Sequence, residues 1–257
     1  MLIILISIFG LVIGSFLNVC IYRVPRELSI INPPRSCCTK CKYQLTWYDN
    51  IPVISWLAIG GKCRKCKEKI SSIYPLVEIL SAFFALESYL VFGLNPTGFL
   101  IYAFCATLIV ITFIDFEFKL IPDVISFPGV TIGLLISIVS QYYHTFNYPV
   151  TTSAWDSLLG MFAGGGFFYL ISWAYYLATK EIGLGGGDIK LMGMIGAIFG
   201  LHAIAPTIFL GSLFGSVVGV GLIMIKGGSR KTEIPFGPWL SLGILVYLFT
   251  DIAIFRY

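Results

Sequence analysis

Apolar runs long enough to cross a lipid hydrocarbon core recur along this chain, and they limit its fold more than any other feature. A core of ~30 Å needs about 20 consecutive apolar residues in a helix. Such runs lie at 2–22, 73–93, 97–115, 123–142, 156–178, 188–201, 203–225 and 236–254. In lipid every backbone N–H and C=O has to be satisfied within the chain, so the runs predict helices. Of the 257 residues 57% are hydrophobic and only 12% charged, against about 25% charged in soluble domains. The expected fold is an all-α polytopic membrane protein with about eight transmembrane helices, embedded in the lipid bilayer. The sixth run is short, roughly 21 Å of helix. Its first residue, Asp188, is therefore expected below the lipid surface, in a pocket that water reaches.

The charges orient these helices. Arg23 and Arg26 follow the first run directly, which places the N-terminus outside and the next loop in the cytoplasm. With eight spans, every Lys and Arg except Arg256 then falls on the cytoplasmic side. The first run has no basic residue before Arg23 and no small-residue cleavage site after it, unlike a cleaved signal peptide. The net charge of +4 follows from this topology and calls for no nucleic-acid partner. Three parts result: a first helix at 1–22, a cytoplasmic loop domain at 23–72, and a membrane domain at 73–257.

The loop domain carries Cys38-Thr39-Lys40-Cys41 and Cys63-Arg64-Lys65-Cys66. Two Cys-x2-Cys pairs in a reducing compartment predict a tetrahedral thiolate zinc site. Four thiolates leave no open coordination position, so the ion is expected to be structural, folding a loop too poor in apolar residues for its own core. Cys37 also competes as first ligand, although the spacing favours Cys38. Between the pairs, Trp47, Tyr48 and Trp56 predict a segment at the membrane interface, and Gly60-Gly61 predict a turn. Glu78, one turn inside the second run, should face protein or water.

Two acids stand at the ends of apolar runs: Asp115 closes the third, and Asp188 opens the sixth behind a glycine-rich stretch. A carboxylate in a membrane helix costs about 2.5–3.5 kcal/mol at the bilayer centre and marks function by default. Together the acids suggest a carboxylate dyad, although Asp188 also stands where a helix cap would. Asp123 follows Pro122 and is expected to cap the fourth helix. Gly160/Gly164, Gly193/Gly196/Gly200 and Gly211/Gly215/Gly219 line helix faces and predict close packing. The second of these faces, Gly193/Gly196/Gly200 beside Asp188, is expected to let the helix bearing the second carboxylate approach. His144 and His202 both fall on the outside, so a histidine-based protease lacks its parts.

Taken together, several motifs resemble the prepilin peptidase family, the type IV prepilin leader peptidases that also N-methylate their product. They are Gly14-Ser15-Phe16-Leu17-Asn18-Val19, the paired cysteines, and Asn50-Ile51-Pro52 leading into Ser55-Trp56-Leu57. Gly60-Gly61-Lys62-Cys63 and Tyr74-Pro75-Leu76-Val77-Glu78 follow. The remainder are Ile114-Asp115, Ile121-Pro122-Asp123, the glycine stretch from Gly183 to Leu191, and Pro235-Phe236-Gly237-Pro238. The resemblance implies a GxGD-type intramembrane aspartyl protease with Asp115 and Asp188 catalytic, Gly185 and Gly187 supporting the loop, and Gly61 linked to methylation. It implies type IV prepilin or pseudopilin precursors as partners, S-adenosylmethionine as methyl donor, and a multi-pass place in the cytoplasmic membrane. Departures are the extra Cys37 and Gly186 where bulkier residues occur; neither touches the acids. Two other classes are a transporter, for which no internal repeat is found, and a zinc-ribbon scaffold, which leaves Asp115 and Asp188 unexplained.

Overall fold

A computed structural model describes residues 1–32, 36–181, 185–226 and 235–250. Gly183 and Leu184, at the head of the glycine stretch, and Arg35, Arg230, Lys231 and Arg256 among the basic residues lie outside them. Among the described residues the fold is helical, and the only strand-like pairings are two isolated bridges in the loop domain.

Each apolar run forms a helix: α1 (Leu2–Arg23), α3 (Ile73–Phe92), α4 (Pro96–Phe118), α5 (Asp123–Tyr143), α6 (Ala154–Thr179), α7 (Gly186–Phe199), α8 (Ile204–Lys226) and α9 (Gly237–Thr250). A short α2 (Ile54–Ala58) lies in the loop domain. Six of the described helices, α1, α3, α4, α5, α6 and α8, are long and apolar enough to cross a membrane. α7 and α9 have 14 residues each. Exposed apolar side chains such as Phe162, Leu170 and Val217 cover the outer faces, as expected where the surrounding solvent is lipid. The chain is a multi-pass membrane protein.

The chain forms two compact units, Met1–Ile114 and Asp115–Tyr257. In the first, α1 packs on α3 through small residues. A methyl group at Gly10 would stand 2.5 Å from Ala82 Cα, and one at Gly14 2.6 Å from Glu78 Cα, so the helix axes approach as only glycine allows. Asn18 bridges the pair by donating to Tyr74 O at 3.0 Å. Glu78 is buried and accepts from Val53 N at 2.8 Å. That bond holds Val53 at φ +61°, a backbone region costly for a β-branched residue.

In the second unit α7 is the centre, with every residue from Leu191 to Phe199 buried. It packs against α5 and α6 and also meets α8 and α9. A helix enclosed by protein need not match the lipid thickness, which accounts for its short length. The glycine face behaves differently from the expectation. Gly193, Gly196 and Gly200 take α6, with Gly196 set against Gly160, and Gly164 of α6 rests on Met192. The thin face therefore serves the α6–α7 seam, and Asp115 does not arrive across it.

Candidate functional site

The four-cysteine loop is a doubled unit. In residues 36–45, Cys38 N donates to Tyr43 O and Leu45 N to Ser36 O; in residues 61–70, Cys63 N donates to Glu68 O and Ile70 N to Gly61 O. Both turns put a lysine in the left-handed region, Lys42 at φ 57° and Lys67 at φ 59°. Cys38 matches Cys63, Cys41 matches Cys66, and Cys37 matches Lys62 at the isolated bridges Cys37↔Gln44 and Lys62↔Lys69. The repeat favours Cys38 over Cys37, because Cys37 occupies a bridge position whose counterpart in the second turn is Lys62.

The Cys38, Cys41, Cys63 and Cys66 sulfurs all lie within 4.8 Å of one another. Cys38 Sγ is 3.8 Å from Cys66 Sγ, and Cys41 Sγ is 3.9 Å from Cys63 Sγ. A tetrahedron with Zn–S near ~2.3 Å has sulfurs about 3.8 Å apart, so the cluster has the dimensions of a zinc site. The backbone N–H groups of Cys41 and Lys40 pull Cys38 down to about 6, and those of Cys66 and Lys65 lower Cys63. Cys66 accepts the Glu68 N–H, yet burial and the neighbouring thiols push it up to about 11. Four thiols this close cannot all ionise without a cation, and a divalent ion is what the donor set fits.

The interfacial segment braces the second turn. Asp49 Oδ2 accepts from Thr46 Oγ1 at 2.7 Å while Asp49 Oδ1 accepts from Arg64 Nε at 2.5 Å. Arg64 also lies 5.1 Å from the centre of the Tyr48 ring. Lys40 pairs with Glu68 across the two turns. At the turn before Lys62, Gly60 and Gly61 have φ +61° and +63°. Gly61 faces Trp56, where a methyl group would stand 2.8 Å from a ring carbon.

The second candidate site lies in the Asp115–Tyr257 unit. Asp115 lies in the last turn of α4 and is 5% exposed; Asp188, in the first turn of α7, is 8% exposed. The two carboxyls are near enough to feel each other's charge. Asp115 Oδ2 accepts from the backbone N–H of Gly237, the first residue of α9, at 3.1 Å. No side-chain cap bond forms at the start of α7, where Gly185 is the N-cap, so Asp188 is not a helix cap.

Ile121 draws these pieces together. It is 3% exposed. A methyl group at Gly187 would stand 2.8 Å from Ile121 Cβ, and one at Gly237 would stand 2.7 Å from Asp115 Oδ2 and 3.1 Å from Ile121 Cδ1. Bare backbone at Gly187 and Gly237 thus leaves room for one branched side chain and a carboxylate. The roles of Ile121 and the Gly237 N–H were missed in the sequence, since a bond between residues 122 positions apart has no local signal.

Asp123 corrects a sequence expectation. Pro122 holds the N-cap place of α5, and Asp123 is the first helical residue with no side-chain cap bond. Its carboxylate instead accepts from Lys190 Nζ at 2.5 Å. A cation one helix away outcompetes a cap that Asp123 stands one position too late to make. His144 is exposed and His202 half-buried, the latter stacked on Tyr148 at 5.5 Å.

Comparison with known proteins covers both units. Residues 8–92 match the model of the bacterial peptidase A24 N-terminal domain, and residues 102–220 that of the type IV leader peptidase family. A prepilin leader peptidase/N-methyltransferase of Aeromonas hydrophila is 35% identical over 273 residues, covering 96% of this chain and 90% of that protein. Its namesake from Pseudomonas aeruginosa is 32% identical over 267 residues, covering 94% and 88%. That of Bacillus subtilis is 34% identical over 257 residues, covering 98% and 96%. No solved structure matches the chain. Similarity of this extent runs from the four-cysteine loop through the glycine-flanked carboxylate, and the chain belongs to the type IV leader peptidase family.

Proposed function

We propose that Asp115 and Asp188 are the catalytic pair of a leader peptidase that cuts type IV pilin-like precursors and then N-methylates the new N-terminus. The observation that carries this reading is the burial of two carboxyls beside each other. Two close carboxyls share a proton more readily than they both ionise. The charged one takes a proton from water as it attacks the scissile carbonyl. The protonated one polarises that carbonyl and then protonates the leaving amine, with no covalent intermediate. Gly187 leaves room for Ile121 beside the acids, and Gly185 leaves the N-cap before Asp188 without a side chain.

The distribution of Lys and Arg puts both acids and the cysteine loop on the cytoplasmic side of the inner membrane, with α7 and α9 completing eight crossings. Residues 1–22 are then an anchor, 23–72 the methyltransfer-associated loop domain, and 73–257 the peptidase. Zinc at Cys38, Cys41, Cys63 and Cys66 ties the loop domain together and takes no part in the chemistry. S-adenosylmethionine supplies the methyl group. The test is incubation of the purified protein with a precursor pilin and the donor, followed by mass analysis. A mass drop equal to the leader and a 14 Da gain (about one methylene) are expected, and an unchanged precursor would reject the reading.

Two predictions belong here. Asp123→Asn removes a partly exposed ion pair, Asp123 being 57% and Lys190 32% exposed at the side chain. Such pairs contribute about 0–1 kcal/mol, so cleavage should fall by less than about fivefold. Gly61→Ala and Gly60→Ala carry similar backbone strain, but only at Gly61 does the added carbon meet Trp56. Gly61→Ala, and more so Gly61→Val, should reduce methylation while leaving cleavage largely intact. Gly60→Ala should reduce methylation less. Equal loss of both activities in the Gly61 variants would refute separate sites.

A further inference from the structure

The two cysteine turns share one backbone and differ at the bridge. In a bridge flanked by the bonds Cys63 N to Glu68 O and Ile70 N to Gly61 O, Lys62 and Lys69 form the non-hydrogen-bonded pair. Side chains of such a pair stand on one face at their closest approach. Like charges directly opposite each other are destabilising. The fold does not require them, because the first turn makes the same bridge with Cys37 and Gln44. The acids of the segment are already engaged, Asp49 with Arg64 and Glu68 with Lys40. Neither Lys62 nor Lys69 has a carboxylate partner among the described residues.

Both lysines border an open cavity of about 410 Å³, which Trp56, Gly61, Ser71 and Ser72 also line. Trp56 is fixed there by donating Nε1–H to Ile70 O at 3.2 Å. Ser72 directly precedes α3, whose 20 residues measure about 30 Å, the thickness of the hydrocarbon core. The cavity therefore lies at the level of lipid headgroups. Ile54 and Leu57 of the neighbouring α2 are 66% and 64% exposed, as befits a segment resting on that surface.

We propose that this cavity binds a phosphate group, the headgroup of an anionic phospholipid, between the Lys62 and Lys69 ammonium groups, with Trp56 at the lipid boundary. The site shares Trp56 and Gly61 with the methyltransfer-associated turn, and its lipid binding is read without either activity.

Native mass spectrometry of the detergent-purified full chain tests it, using phosphatidylglycerol and phosphatidylcholine as probes and zinc content as the check on folding. The intact protein should retain phosphatidylglycerol preferentially. Lys62→Gln/Lys69→Gln should keep its zinc and lose on the order of 25-fold in that preference, about fivefold for each lysine near an anionic surface. Lys42→Gln/Lys65→Gln removes as much charge from the loop outside the cavity and should bind nearly as well as the intact protein. In a second arm inorganic phosphate is added. Displacement of the lipid assigns the site to the phosphate group itself, and resistance assigns it to the lipid as a whole. Equal losses in the two double variants, or no preference in the intact chain for either phosphatidylglycerol or phosphate, would overturn the proposal.

Discussion

Asp115→Asn and Asp188→Asn should each abolish leader cleavage, by at least about 10³-fold, while the protein still inserts in the membrane and still holds zinc. General acid–base catalysis by a positioned group contributes about 10²–10⁴-fold, and an amide can act as neither acid nor base here. The fold should tolerate the change. Gly237 N donates to Asp115 Oδ2 at 3.1 Å, and an asparagine oxygen can accept the same bond. A neutral amide is also less costly to bury than a carboxylate. Thermal unfolding of the variants should therefore occur no lower than that of the parent. Cleavage is read by mass on a precursor pilin. Activity lost in Asp123→Asn but kept in Asp115→Asn would move the pair to Asp123 and Asp188.

The second large effect is expected from metal. Cys38→Ser or Cys63→Ser, or a strong chelator, should remove one zinc per chain and unfold residues 36–70. Structural zinc in small ligand loops contributes about 10–16 kcal/mol of apparent binding energy at neutral pH, more than a segment with few buried apolar residues can replace. Hydrogen exchange at the Cys38, Leu45, Cys63 and Ile70 amides, all bonded within the turns, should rise to the rate of a free peptide. Protection in the apolar helices should persist. Cys37→Ser should leave zinc at full occupancy, because Cys37 sits at the bridge facing Gln44. Equal zinc loss in Cys37→Ser and Cys38→Ser would show that the repeat has been aligned wrongly.

The helices were legible because lipid admits few alternatives, and the apolar runs mark them within a few residues. The cysteine quartet was legible from spacing, since four thiols two residues apart in pairs need only the chain to fold back on itself. Asp115 and Asp188 could be singled out by the expense of charge in apolar runs. Their surroundings could not. Ile121 looked like one more apolar loop residue, and Gly237 like punctuation before a helix. Asp123 looked like a cap because capping is local, whereas its partner Lys190 lies on another helix. The glycine face of α7 was seen as a packing surface, but sequence periodicity does not say which helix packs there, and α6 took the place expected for the helix bearing Asp115.

The seam between α6 and α7 has a mechanical consequence. Gly160 and Gly196 put backbone against backbone, so at that crossing no side chain can change rotamer and let the helices part. That flank of Asp188 behaves as an anvil, stiff where the two backbones touch. On the other flank Asp115 accepts the N–H of Gly237, and Ile121 fills the space left by two glycines. On the proposed reading, a peptide entering beside the acids would meet one rigid wall and one compliant wall. Any adjustment to its shape falls to the Ile121 turn and the start of α9, and the carboxylate on α7 stays where it is.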